Sequence, residues 1–377
     1  MGATNACKTK RRVFVIDYHL NEFAAKRGDM SAKYRAIEVS KPGVFTEVNR
    51  PLQDPGPNQV RIRVEACGVC HTDSLLVDGA LPNLAYPRVP GHEVIGRIDA
   101  VGANVTTRAV GQRVGVGICG GWDDTCLACL RGDFVNCSNG VLTGIMIDGG
   151  YAEVMMIEAR ATVTIPDGLQ AVKAAPILCA GVTTFNALRN AGLRAGALVA
   201  IQGVGGLGHL GIQYARRMGF RTIAVGLGPE SEKLAKELGA HEYIDSGAED
   251  AGAKLRALGG ADAILATAPS GKAMSDLVKG LAVRGKLLVI GLAPDPLEVD
   301  TGSLVFGMHS ISGSTTGSVQ DEQETVAFSL LEKVEPMIEV MPLSKAREAY
   351  DRMMAAKARF RMVLVTENGN QRAGQAN

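Results

Sequence analysis

Ala197-Leu-Val-Ala-Ile-Gln202-Gly203-Val-Gly205-Gly206-Leu207-Gly208-His209 is the stretch on which the fold turns. The apolar run 197–202 reads as a buried strand, and a G-x-G-x-x-G pattern follows it directly. Beyond the pattern, Leu207, Leu210, Tyr214 and Met218 recur at intervals of three and four. That spacing gives one apolar stripe on a helix, which Gly219 can end. In a strand–turn–helix setting the glycines act separately. Gly203 permits the tight turn, Gly205 lets the backbone approach a pyrophosphate at the helix N-terminus, and Gly208 allows helix and strand to pack closely. With Gly206 and Leu207 completing the loop, the expectation is a dinucleotide site.

Working outward, the apolar runs Arg221 to Gly226, Asp262 to Ala266 and Lys286 to Ile290 alternate with helical stretches, the next helix running from near Ser231 to Gly239. Alternating strand and helix predicts an α/β protein with a doubly wound parallel sheet, a Rossmann cofactor-binding domain over residues 181–318. Upstream, over 31–180, the texture changes to short alternating segments such as Gln59-Val-Arg-Ile-Arg-Val-Glu-Ala66, broken at Pro55-Gly-Pro, Pro90-Gly and Asp148-Gly-Gly. This reads as a compact β-rich domain whose first strand runs from Lys33 to Val39. The tail, 319–377, shows one helix (Ser344 to Lys357) and one strand (Arg359 to Val365), too little for a third core, so it is expected to return to the first domain. Residues 1–30 carry Lys8, Lys10, Arg11 and Arg12 without periodicity and read as a disordered extension.

Composition excludes several classes. A formal net charge of +1 in 377 residues gives no field able to hold a polyanion, so nucleic acid is not an expected partner. No apolar run approaches the roughly 18–20 residues of a membrane span, and a cytoplasmic protein is expected. Eight cysteines cluster at Cys67/Cys70, Cys119, Cys126/Cys129/Cys137 and Cys179, with Cys7 apart, which points to metal or catalysis before disulfides.

The ribose of a dinucleotide is usually held by an acid about 20 positions past the glycine motif. Here that place reads Val225-Gly226-Leu227-Gly228. Without a carboxylate at Gly226 the usual device for NAD is missing, while Ser231 and Lys233 are near enough in sequence to meet a 2′-phosphate. The residues therefore favour NADP over NAD.

Cys67-Gly-Val-Cys70-His-Thr-Asp73, Gly91-His92-Glu93 and Cys179-Ala-Gly-Val-Thr183 stand in that order before the glycine loop. In these motifs the chain, from about Tyr34 to Thr366, strongly resembles the zinc-dependent alcohol dehydrogenases of the medium-chain dehydrogenase/reductase superfamily. The resemblance implies a GroES-like catalytic domain before the Rossmann domain, and catalytic zinc ligands at Cys70, His92 and Cys179. Glu93 would lie beside the metal, and Cys67 would be an unused neighbour. Any one of these residues alone reads equally well as a buried thiol or a core histidine; three in register do not. Two thiolates and an imidazole leave a tetrahedral zinc one open position, the mark of a catalytic rather than a structural site. Zinc in such a site lowers the pKa of a bound oxygen from about 16 to about 7, which suits hydride transfer between an alcohol and a nicotinamide. Asp73 would orient a ligand.

The resemblance also implies cofactor contacts at Thr183 under the nicotinamide, at His71 and Arg361 near the pyrophosphate, and at Leu292 near the carboxamide. Thr72 would pass the substrate proton outward. Many members place a histidine three positions beyond that threonine, where this chain has Leu75, so the relay would end in water or at His71. A lobe with four cysteines at C-x2-C-x2-C-x7-C holds a second, structural zinc in the family. Here Asp123 takes the first place, followed by Cys126, Cys129 and Cys137. A carboxylate can bind zinc, so an occupied site is expected. Ile118, with Leu76, Leu81, Leu84 and Tyr86, would wall a pocket larger than ethanol needs. The function implied is NAD(P)-dependent interconversion of a primary or secondary alcohol with its aldehyde or ketone, by a homodimer or homotetramer. The alternatives are a zinc-free quinone or enone reductase of the same superfamily, which intact Cys70, His92 and Cys179 oppose, and a non-catalytic nucleotide-sensing protein.

Overall fold

In the strand Gln59–Val69, Val60, Ile62 and Val64 are fully buried, while Arg61 and Arg63 point the other way and share Asp99, at 2.7 and 2.6 Å. From Glu65 onward the alternation stops and every residue is buried, because both faces of the strand are now covered. This is a computed structural model that describes residues 32–367. The expectation for residues 1–30 lies outside the described residues.

The strand Gln59–Val69 sits inside a seven-stranded sheet ordered Ile338–Pro342, Arg361–Val365, Gln59–Val69, Val94–Val101, Arg113–Val116, Val163–Thr164, with Val154–Glu158 also paired to Gln59–Val69. The pairings are antiparallel except that of Ile338–Pro342 with Arg361–Val365.

The second sheet has six strands, all parallel, ordered Glu242–Asp245, Arg221–Gly226, Leu198–Gln202, Ala261–Ala266, Leu281–Val289, Ser310–Gly313. Two buried clusters, one on each face, hold the helices against it. Numbered along the chain the order is 3-2-1-4-5-6, and the strand order reverses beside Leu198–Gln202. A crevice opens at such a switch point, at the carboxyl ends of the strands, where ligands of doubly wound sheets bind. The GroES-like plus Rossmann α/β fold is thus the observed one.

Several boundaries differ from the sequence reading. The helix expected from Ser231 begins at Gly228, because Pro229 lacks an N–H and suits a first turn. The strand expected from Lys286 begins at Leu281. Among the described residues the tail holds two α-helices and two strands, not one of each: Val319–Glu332 and Ile338–Pro342 precede the expected pair, and the expected helix Ser344 to Lys357 is confined as an α-helix to Ala346–Met354. Val319–Glu332 hides from periodicity because its buried face carries Glu322, Thr325 and Ser329 beside Val326. Its start is fixed by a capping box between Ser318 and Asp321. Arg189 clamps it to the helix Ala180–Arg189 through Asp321 and Glu324. Among the described residues no single helix is long and apolar enough to cross a membrane.

Candidate active site

Cys70 caps the short helix His71–Asp73, receiving the Thr72 N–H on its sulfur at 3.5 Å. Asp73, fully buried, accepts the backbone N–H of Cys70 at 3.0 Å and the phenol of Tyr151 at 2.9 Å on Oδ2, and its Oδ1 lies 3.1 Å from His92 Nδ1. Both ring nitrogens of His92 are buried without a hydrogen-bond partner, and a proton on Nδ1, the nitrogen beside Asp73, leaves Nε2 as an acceptor. Gly91 places His92: its φ is +100°, and a Cβ there would come within 2.4 Å of the Tyr151 ring. Cys179 joins from the start of the helix Ala180–Arg189, bringing its sulfur 3.6 Å from that of Cys70.

Ligand atoms of Cys70, His92, Glu93 and Cys179 all lie within 4.8 Å of one another, and Cys67 is not among them. Two zinc–sulfur bonds of about 2.3 Å at a tetrahedral angle put the sulfurs about 3.8 Å apart, close to the separation found. The Cys70 thiol is drawn well below its ordinary pKa by the hydrogen bond from Cys179 and, against burial, by His92. Geometry and donor set therefore fit a tetrahedral metal. Glu93 is turned aside: its Oε1 pairs with the buried Arg361 guanidinium. Burial pushes its carboxyl up to about 7 although Arg361 pulls it down. Gly68 makes room for it, since a Cβ there would lie 1.8 Å from Glu93 Oε2.

In the glycine loop Gly203 has a φ of +90°, a Cβ on Gly208 would strike the Gly203 carbonyl oxygen at 1.7 Å, and the space above Gly205 is open. Arg361 connects the loop to the metal cluster, its Nη1 lying 3.3 Å from where a Cβ on Gly206 would sit. Leu207 leads into the helix Gly208–Arg217. Thr183 is buried on the helix that starts at Cys179, His71 is exposed and Thr72 half-buried beside the cluster, and Leu292 is exposed just past the strand Leu281–Val289. Ser231 and Lys233 stand in the first turns of the helix Gly228–Glu237, beyond Gly226. Leu76 is fully buried in the core of the first sheet with Leu84 and Tyr86 packed there, so these three are core rather than pocket walls.

Sequence reading missed His209, which ties the loop down: its Nδ1 lies 2.9 Å from the Gly205 carbonyl and its Nε2 accepts the N–H of Met337 at 3.2 Å. Burial holds it neutral, with a pKa lowered to about 4. Only its place directly after the glycine motif could have drawn attention to it.

Residues 56–167 match the family described as alcohol dehydrogenase GroES-like domain, and 206–333 match zinc-binding dehydrogenase. An alcohol dehydrogenase of Aspergillus sp. (strain MF297-2), notN, is 44% identical over 323 residues, spanning 86% of this chain and 95% of the relative. The chain belongs to the zinc-type alcohol dehydrogenases of the medium-chain dehydrogenase superfamily. An alcohol dehydrogenase of Geobacillus stearothermophilus is 38% identical over 333 residues, covering 87% of this chain and 97% of its own. Among solved structures, a cinnamyl alcohol dehydrogenase from Sorghum bicolor superposes with a TM-score of 0.80 at 29% identity, covering 89% of this chain and 98% of that one.

In this dehydrogenase the second cluster brings Asp123, Cys126, Cys129 and Cys137 together, again with ligand atoms within 4.8 Å. Asp123 accepts the N–H groups of Thr125 and Cys126 at 2.8 and 2.9 Å and the Asn139 amide at 2.6 Å. Those donors, the Cys126 N–H first, hold its carboxyl well below the usual range and so keep it ionised. The Cys126 thiol is lowered to about 7, chiefly by backbone hydrogen bonding at Cys129 and Ser138. Three thiols and a carboxylate with ligand atoms this close together are a donor set that fits zinc. Metal analysis of the purified protein should find two zinc per subunit; one per subunit would leave this lobe without metal.

Proposed function

We propose that this alcohol dehydrogenase holds zinc at Cys70, His92 and Cys179 and a nicotinamide dinucleotide on the loop Gly203–Gly208, and that it interconverts a primary or secondary alcohol with its carbonyl product. The observation that carries the reading is the buried, partnerless His92 Nε2, facing two sulfurs 3.6 Å apart and linked through Glu93 and Arg361 to the glycine loop. Zinc would supply Lewis acidity toward the substrate oxygen, and the nicotinamide would accept or donate the hydride. The chain's own residues do the rest. Asp73 fixes the ring of His92 and so the aim of its free nitrogen. The Thr72 hydroxyl takes the alcohol proton and hands it outward. Leu75, in the next turn, has no atom to receive it, so the proton leaves by water or by the exposed His71. Thr183 and Leu292 would border the nicotinamide end, and Arg361 would neutralise cofactor charge beside Gly206.

Ile118, only 9% exposed, stands next to the half-buried Cys119 where an aliphatic wall would leave room for a substrate longer than ethanol. A panel of alcohols and aldehydes, assayed before and after zinc removal, tests the whole reading. Activity should rise beyond the two-carbon member, vanish with chelation and return with zinc. Activity that survives complete zinc removal would refute it.

A further inference from the structure

We propose that the edge strand Glu242–Asp245 supplies the cofactor selectivity that the neighbouring strand Arg221–Gly226 lacks, so that the site accepts a dinucleotide with a free adenosine 2′-hydroxyl and rejects one carrying a 2′-phosphate. The proposal rests on the reading of Gly203–Gly208 as the dinucleotide loop. At Gly226, where an acid would ordinarily grip the ribose, there is no side chain. Its register partner across the sheet is Asp245.

Asp245 sends its carboxylate back over the loop: Oδ2 accepts the Gly228 N–H at 3.2 Å and Oδ1 accepts that of Gly247 at 2.9 Å. Two residues earlier, on the same face of the strand, the Tyr243 phenol donates to the Gly228 carbonyl at 3.0 Å. Its oxygen also lies 3.0 Å from the position a Cβ on Gly226 would take. Ser231 follows in the first turn of the helix Gly228–Glu237.

A 2′-phosphate needs N–H and hydroxyl donors at the start of the helix Gly228–Glu237. The Gly228 N–H, the first of these donors, is already bound to a carboxylate. Charge points the same way. Asp245, Glu230 and Glu232 stand about this helix start with Lys233, and Arg359 is directed to Glu230 at 3.9 Å. A dianion there meets net repulsion. A ribose hydroxyl does not: a carboxylate has about four lone-pair sites, so Asp245 keeps acceptor capacity after its two backbone bonds. The sequence tilts toward NADP because the compensating acid comes from the next strand, which the spacing rule does not inspect.

Equilibrium titration of the full-length protein with NADH and NADPH, followed by cofactor fluorescence, tests this without turnover. NADH should bind about tenfold more tightly or better, as expected for one desolvated charge repulsion. On the unaltered chain, raising salt from 0.1 M to 1 M shortens the Debye length from about 10 Å to about 3 Å and should narrow the gap. Asp245→Asn, which keeps an acceptor oxygen, should tighten NADPH several-fold while changing NADH less. Equal or tighter NADPH binding by the unaltered chain, a gap that widens with salt, or an Asp245→Asn variant in which both affinities move alike would each overturn the proposal and leave the dinucleotide reading intact. Failure to bind either cofactor would overturn both.

Discussion

Replacing His92 with alanine should lower kcat/KM by about 10³-fold or more, equivalent to about 4 kcal/mol of transition-state stabilisation, and should remove one zinc per subunit. His92 offers the one nitrogen in a cluster otherwise made of two sulfurs and a carboxylate already engaged by Arg361. Its loss leaves too few ligands to hold a metal in an open tetrahedral geometry. The conservative companion is Asp73→Asn, which keeps the shape of the partner at 3.1 Å but removes its charge. That variant should cost about 10–100-fold, the usual scale for a residue that orients a ligand. Zinc content separates loss of metal from simple misfolding, since the lobe at Asp123, Cys126, Cys129 and Cys137 should keep its own ion. Full activity in the His92→Ala protein would mean that the chemistry lies elsewhere.

The largest expected effect on stability belongs to Arg361→Ala. Glu93 and Arg361 form an ion pair with both side chains at or below 7% exposure, and Glu93 Oε2 has no other protein partner. Removing the guanidinium leaves a buried carboxyl that must take up a proton or stay uncompensated, a loss on the order of 3–5 kcal/mol. The readout is thermal or denaturant unfolding, in which the melting temperature should fall by several degrees. Pairing the change with Glu93→Gln should restore much of the loss, because the stranded charge is gone. Cofactor affinity should still fall in the double variant, since Arg361 also reaches toward Gly206. An unchanged melting temperature in Arg361→Ala would show that water solvates the carboxylate in place.

Legibility in the sequence followed the locality of the signal. Gly203, Gly205 and Gly208 could be read because strand, turn and helix are contiguous, and the contacts at Gly203 and Gly208 are those the motif requires. Cys70, His92 and Cys179 could be read only together and by resemblance, since nothing local says that the sequence around 70, 92 and 179 converges. The glycine that bends the chain before His92 was visible as a residue, but not its contact with Tyr151. The helix Val319–Glu332 escaped because polar groups occupy its inner face. Asp245 and Tyr243 escaped for another reason: Glu-Tyr-Ile-Asp-Ser-Gly reads readily as a short strand and turn, but its partner across the sheet is set by topology. Pocket walls were least legible of all, and Leu76 shows why: an apolar residue near a site reads the same whether it faces a ligand or the core.

The strand Arg361–Val365 pairs with the C-terminal end of Gln59–Val69, Val363 opposite Gly68, so a neighbour of the Cys70, His92 and Cys179 cluster is delivered from far downstream in the chain. Synthesis runs from the N-terminus, and Cys70, His92 and Cys179 leave the ribosome long before Arg361 does. Until that last strand docks, the first sheet has an open edge at Gln59–Val69, Glu93 has no counter-charge, and the Gly206 turn has no arginine beside it. Closure of the site is therefore a late, long-range event. A nascent chain can form its glycine loop by local folding, and the finished centre only once Arg361 has emerged.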